Sequence, residues 1–256
     1  MKANKESLLF NAVILAAGRG SRMQDLTNHQ PKCLTTLAGV SLLEWQLLAL
    51  REAGVSQCTV MTGYLGHLLR GNFVANAYPR WSETNMVGTL VWAMRVAPTM
   101  DCIISYSDIV YKAEHVRKLV ECPHDIAITY DTRWLELWSL RFADPLADAE
   151  TFSQKNGLLQ SIGNKAASTD EIQGQYMGLI KISPRGWNTI ARYLGGLPEG
   201  AVDKLDMTSM LRALLENGIT IGTLPVNGCW CEVDNEHDVT VYEAALAQSG
   251  WSHDWR

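Results

Sequence analysis

Residues 11–34 read NAVILAAGRGSRMQDLTNHQPKCL, and the fold is decided there. From Ala12 to Ala17 the chain is a run of small and branched apolar residues that stops at Gly18 and Gly20, the pattern of a buried strand emptying into a loop. Glycine at these places lets the backbone turn sharply and lets its N–H groups come close to a ligand, while Arg19, Arg22 and Lys32 supply positive charge. The natural guest of such a loop is a polyphosphate. It fits neither GxxxxGK[ST] nor the dinucleotide pattern GxGxxG.

Outward from the loop, residues 41–53 (SLLEWQLLALREA) place apolar side chains at helical spacing behind a serine N-cap and stop at Gly54. Residues 58–62 read as a second buried strand. Strand, helix, strand in that order gives a right-handed βαβ unit with parallel strands. Gly63, Tyr64 and Gly66 then fall at a strand's carboxyl end, where ligands collect in open α/β sheets. Further strands are expected at 101–106, 125–130, 175–182 and 220–226. Helices are expected from Pro184, over 206–216, and at the end of the chain around Val239, Tyr242 and Leu246. The expected class is α/β, a Rossmann-like, mixed but mainly parallel sheet flanked by helices. Residues 131–180 are irregular and aromatic, with a hairpin of 151–153 and 158–162 around Asn156-Gly157. They are expected to form a small inserted β-rich lobe for a second substrate, within one domain of 1–256.

With 47% hydrophobic and 19% charged residues the chain has ample material for a core, and no Pro/Ser-rich linker divides it. A net charge of −5 argues against a general nucleic-acid binder, so the positive charge that matters is local. No apolar stretch is long enough to span a bilayer. The cysteines are scattered with no signal peptide before them, and a reduced, cytoplasmic protein is expected. Cys229 and Cys231 form a CxC without a second pair at zinc spacing.

Three places carry chemistry. Over 82–97, Thr84 or Asn85 can cap a helix with an apolar face of Val87, Leu90, Val91 and Met94, its N-terminus laid toward the site. The bland alternative has Asn85 and Thr89 spent on the backbone. Asp108 follows an apolar strand and is placed to hold Mg²⁺, an oxygen-seeking ion that bridges carboxylates to phosphates. Asp234 has the same strand-end setting, although either aspartate can instead cap the helix after it. The Trp and Tyr faces of 130–152 can hold a cationic amine by cation–π attraction, while most of the tryptophans are expected in the core. Asp131, Glu136 or Asp206 can pair with such an amine, and each also reads as a cap or a surface charge.

LxAGxGxRM from Leu15, a spacer and PKxL ending at Leu34 together resemble the signature of nucleotidyltransferases that attach a nucleoside monophosphate to a sugar phosphate or a small alcohol phosphate. ETNM (83–86), SYSDIVY (105–111), RFADPLADAETF (141–152), GQYMGLIKIS (174–183) and EVD (232–234) extend the likeness over nearly the whole chain. They resemble, more narrowly, cytidylyltransferases of the phosphocholine and 2-aminoethylphosphonate type. The resemblance implies nucleotide contacts from Leu15, Ala16, Ala17, Gly18, Arg19, Gly20, Ser21 and Tyr64, and contacts to the base from Asn85, Gly88 and Thr89. It implies Lys32 between the acceptor anion and the α-phosphate, Arg22 on the departing pyrophosphate, and Mg²⁺ on Asp108 and Asp234. Trp138, Tyr176 and Glu232 are implied for the acceptor, CTP for the nucleotide, and a small phosphonate or phosphate for its partner; a homodimer is left open. A sugar-1-phosphate nucleotidyltransferase would share every loop feature but line its acceptor pocket with hydroxyl-binding groups. A non-catalytic nucleotide-binding regulator would be expected to have lost Lys32, Asp108 or Asp234, and all three are present.

Overall fold

A computed structural model describes residues 9–20, 23, 27–95 and 99–256; Ser21 and Arg22 lie outside the described residues. The apolar run becomes β1 (Phe10–Ala16), whose side chains alternate between two cores. Phe10, Ala12, Ile14 and Ala16 face one, and Val13 and Leu15 the other. A strand apolar on both faces must be covered on both. Fully burying a side chain such as Ile14 contributes about 1.5–3 kcal/mol.

The chain continues through a short hairpin, β2 (Thr36–Leu37) and β3 (Val40–Ser41), into α1 (Leu42–Ala53), β4 (Gln57–Thr62) and β5 (Val74–Ala77). Next come α2 (Met86–Met94), β6 (Asp101–Tyr106), β7 (Ile109–Tyr111), α3 (Ala113–Glu121), β8 (Ile126–Asp131) and α4 (Trp134–Arg141). The hairpin β9 (Glu150–Lys155) and β10 (Leu158–Lys165) precedes β11 (Gln175–Ile182), α5 (Pro184–Gly195), α6 (Ala201–Lys204) and α7 (Met207–Glu216). The last elements are β12 (Gly222–Val226), β13 (Trp230–Glu232) and α8 (Glu236–Leu246). Local rules explain many of the ends. Ser41 accepts the Glu44 amide at the start of α1, and Gly54 closes that helix with φ 95°.

Among the described residues nine strands form one sheet in the order β5-β4-β1-β6-β11-β8-β12-β10-β9. Neighbours β5, β4, β1 and β6 are parallel, as are β8 and β12; only β11 and β10 run against the rest. The α/β expectation holds, and so does the mixed, mainly parallel sheet. Side chains of α1, α3, α4 and α8 pack on one face, those of α2, α5 and α7 on the other. The segment expected as an inserted lobe is joined to the main sheet. Its hairpin extends the main sheet through the β12–β10 pairing, and β11 sits in mid-sheet between β6 and β8.

A second, small sheet matters more for the site. In it β7 and β13 pair antiparallel, Ile109 opposite Glu232 and Tyr111 opposite Trp230. The Val233 amide then donates to the Asp108 carbonyl at 2.9 Å, one step beyond the ribbon. Among the described residues no helix is long and apolar enough to cross a membrane.

Candidate active site

The loop after β1 is shaped by two close approaches. Gly20 has φ +68°, and a Cβ there would lie 2.8 Å from Lys32 Cβ and 2.9 Å from its Cδ, so the lysine stem passes over a residue that must be glycine. Likewise a Cβ at Gly63 would meet the Ala17 carbonyl oxygen at 2.5 Å, which lets the loop after β4 close on the loop after β1. Pro31, at φ −63°, starts the one-turn 3-10 helix Lys32–Leu34 that presents the lysine.

Lys32 Nζ donates to Asp108 Oδ2 at 2.7 Å and to Asp234 Oδ1 at 2.8 Å, with all three side chains largely buried. Burial works against the charge on Lys32, but the charges and hydrogen bonds of Asp108 and Asp234 outweigh it and hold the ammonium above the ordinary lysine range. One carboxylate oxygen from each of Asp108, Glu232 and Asp234 lies within 4.8 Å of the others. Burial, then the neighbouring Asp234 charge, push Glu232 up to about 8 against the pull of Arg141.

Arg141 is the residue that sequence reasoning missed. Its side chain is fully buried, and it donates to Glu232 Oε2 at 3.2 Å, Asp234 Oδ2 at 3.1 Å and Asp238 Oδ1 at 3.2 Å. The Trp138 and Phe142 rings hold the guanidinium at 5.2 and 4.9 Å from their centroids. Its position inside the quoted RFADPLADAETF motif was the one available signal.

Two cavities meet at this cluster, each of about 220 Å³. The first is lined by Leu15, Ala17, Gly18, Gly20, Lys32, Asn85, Thr89 and Asp108 together with Trp81, Thr84, Met86 and Ser107. The second contains Trp138, Tyr176, Glu232 and Asp234, with Tyr106, Asp148, Glu150, Phe152 and Gln175 among its walls. All three residues expected for an acceptor therefore share one cavity.

Other expected contacts are placed differently. Ala16 is buried in β1. Arg19 is exposed, donates to Asn28 Oδ1 at 3.0 Å and lies over the Tyr64 ring. Tyr64 donates to the Thr27 carbonyl at 2.8 Å and packs edge-on against Trp81, bracing the loop from behind. Gly88 is a packing glycine, since a Cβ there would meet Thr84 Oγ1 at 2.8 Å and the Tyr78 hydroxyl at 2.9 Å. Asn85 rather than Thr84 caps α2, accepting the Met86 amide at 2.7 Å. At the start of α2 the Asn85 and Val87 amides donate to the carbonyls of Asp203 and Leu205, beside α6. The three acids considered for an amine are spent elsewhere. Asp131 holds His253 Nε2 at 2.8 Å, Glu136 pairs with Arg133, and Asp206 caps α7.

The cluster fits a divalent cation. Asp108 Oδ1 is buried without a hydrogen-bond partner, and Asp108, Glu232, Asp234 and Asp238 outnumber Lys32 and Arg141. Hard carboxylate oxygens converging on one spot are the donor set of Mg²⁺.

Strand, glycine loop and paired aspartates are the parts of a nucleotidyltransferase. Residues 12–169 match the MobA-like NTP transferase domain, and the chain belongs to that family. It is 36% identical over 251 residues to a CTP:phosphoglutamine cytidylyltransferase of Campylobacter jejuni, covering 91% of this chain and 98% of that protein. It is 32% identical over 114 residues to a 2-aminoethylphosphonate cytidylyltransferase of Lancefieldella rimae, covering 41% of this chain and 46% of that one. Among solved structures, the inositol-1-phosphate CTP transferase from T. maritima superposes with a TM-score of 0.72 at 16% identity, over 93% of this chain and 94% of that chain. The CTP:phosphocholine cytidylyltransferase from Streptococcus pneumoniae gives 0.70 at 18%, over 93% and 99%. At those identities the superpositions establish the fold.

Proposed function

We propose that the protein transfers CMP from CTP to the phosphate or phosphonate oxygen of a small acceptor that carries an amine, releasing pyrophosphate. The observation that carries this reading is the Lys32 ammonium, held by Asp108 and Asp234 where the two cavities meet. CTP is favoured by the cytidylyltransferase relatives. The acceptor class is favoured by the second cavity. Its walls carry Asp148, Glu150, Glu232 and Asp234 beside Trp138, Tyr106 and Tyr176, with no lysine or arginine among its described lining residues. Such a lining attracts a cationic group through charge and ring faces, and its described residues offer a free carboxylate no positive charge.

In the reaction an acceptor oxygen attacks the α-phosphorus of CTP, forming a new P–O bond. The bond from that phosphorus to the bridging oxygen breaks, and pyrophosphate leaves with the electron pair. Such transfers depend on position and on neutralised charge, with no covalent help from the protein. Lys32 neutralises charge between the acceptor anion and the α-phosphate, Gly18 and Gly20 leave room for the triphosphate beside the loop, and Arg22 is proposed for the pyrophosphate. Asp108 and Asp234 would hold Mg²⁺, with Glu232 beside them; when bound, the ion supplies positive charge to the phosphate oxygens. The unpaired thiols of the cysteines suit a reducing compartment, and a cytoplasmic location is proposed with the reaction.

The test follows pyrophosphate from each of four nucleoside triphosphates with Mg²⁺ against a panel of acceptors: 2-aminoethylphosphonate, phosphocholine, phosphoglutamine and glucose 1-phosphate. Release is expected with CTP and an amine acceptor lacking a carboxylate. Faster release with glucose 1-phosphate would move the protein to the sugar-1-phosphate class, and faster release with phosphoglutamine would refute the reading of the acceptor cavity.

A further inference from the structure

We infer that Arg141 is a positioning residue: it fixes the carboxylate of Asp234 so that one oxygen faces the reacting groups, and it ties that setting to the wall of the acceptor cavity.

The two oxygens of Asp234 have different partners. Oδ2 accepts from Arg141 Nη2 at 3.1 Å, while Oδ1 accepts from Lys32 at 2.8 Å on the side of the cavities. The Asp234 backbone is held as well. Its amide donates to Asp238 Oδ2 at 2.7 Å, and Asp238 is itself gripped by the Arg141 Nε and Nη2. A planar guanidinium with a fixed fork of donors can serve Glu232, Asp234 and Asp238 at once, which a lysine cannot.

From the other side, Trp138 lies one helical turn before Arg141 on α4, and its ring packs on the guanidinium. The same ring lines the acceptor cavity and donates Nε1 to Asp148 Oδ2 at 3.1 Å. A continuous run of contacts therefore leads from the cavity wall through Arg141 to the aspartate beside Lys32.

A purely structural staple between α4 and α8 would need none of this asymmetry. Charge and position also predict opposite signs. If Arg141 only added positive charge next to the acids, removing it would strengthen cation binding. If it aims Asp234, removing it weakens cation binding even though the site becomes more negative. Partners that orient metal ligands in this way typically change metal affinity 10- to 100-fold when lost.

The inference rests on the metal reading above, and titrating the full-length protein with Mn²⁺ in the absence of nucleotide separates the two. Wild type is compared with Arg141→Lys, which keeps the charge and loses the fork, and with Arg141→Met/Asp238→Asn, which removes a buried charge of each sign so that the net charge of the cluster is unchanged. Thermal melting checks that each variant is folded. The expected result is Mn²⁺ binding by wild type and a dissociation constant at least tenfold higher in both variants. Full affinity in Arg141→Lys, or tighter binding in the double variant, would overturn the role of Arg141 and leave the metal reading standing. Failure of wild type to bind Mn²⁺ would overturn both.

Discussion

The two cavities that meet at Lys32 are built in different ways. The first is lined by three stretches, β1 with the loop after it as far as Lys32, residues 81–89 running into α2, and Ser107-Asp108 after β6, with a glycine at 63 that lets a neighbouring loop close down. The second is gathered from seven elements: Tyr106 on β6, Trp138 on α4, Glu150 and Phe152 on β9, Ile162 on β10, Tyr176 on β11, Thr208 on α7, and Glu232 with Asp234 at the end of β13. A site written in a few stretches tolerates little change, because within each stretch a residue sets the backbone of the next. A site gathered from several elements can change its guest one side chain at a time. The half proposed for the nucleotide should thus respond to substitution through turnover, and the half proposed for the acceptor through selectivity.

Lys32 lines the first cavity and bonds to Asp234 of the second, and Lys32→Ala should have the largest effect. Loss of a preorganised cation in a dry site costs about 3 kcal/mol of barrier, so pyrophosphate release at saturating substrates should fall by at least about a hundredfold. A near-normal rate would remove the hinge on which the comparison turns. Gly20→Ala comes next. It forces a side chain into a left-handed backbone and into the Lys32 stem, and should cut kcat/KM for the nucleotide by about tenfold, roughly the cost of 1–2 kcal/mol of strain, with the acceptor KM little changed. Tyr176→Leu should do the reverse. Losing a ring face worth about 0.5–2 kcal/mol raises the KM for an amine acceptor by roughly 2- to 30-fold and leaves the nucleotide KM where it was. A shift in the nucleotide KM there would mean that the halves are not separable.

The smallest kinetic effect is expected from a residue outside both halves. Burial lowers His115 on α3 from 6.5 to about 4. Between those values the unfolded chain binds the proton and the folded one does not. Stability is therefore full above about pH 6.5 and falls as the pH drops toward 4, by about 3 kcal/mol at most. Urea melts across that range should lose much of their pH slope in His115→Leu while both KM values stay put.

These contrasts also explain what the sequence disclosed. Gly20 and Lys32 were legible because they lie in one motif and act on each other across a dozen residues. The alternation of Phe10, Ala12 and Ile14 against Val13 and Leu15 announced a sheet covered on both faces. Arg141 was illegible as a site residue because its partners, Glu232, Asp234 and Asp238, come to it only through the packing of α4 against α8. Nothing local in 82–97 reveals that the carbonyls of Asp203 and Leu205 reach the Asn85 and Val87 amides at the start of α2. How the inserted segment after β8 joins the sheet was not legible, because pairing between β10 and β12 is a long-range choice with no local mark.

The ribbon that joins Asp108 to Asp234 has one more implication. Ile109, Val110, Tyr111, Trp230 and Cys231 are all buried, so the strip that carries the acids cannot drift apart from the interior it is embedded in. Methyl groups there serve as a jig as well as filling. Trimming one, as in Ile109→Val, should cost about 0.5–1.5 kcal/mol of stability and loosen the acids as well, so that selection for speed would also guard hydrophobic volume that touches no substrate.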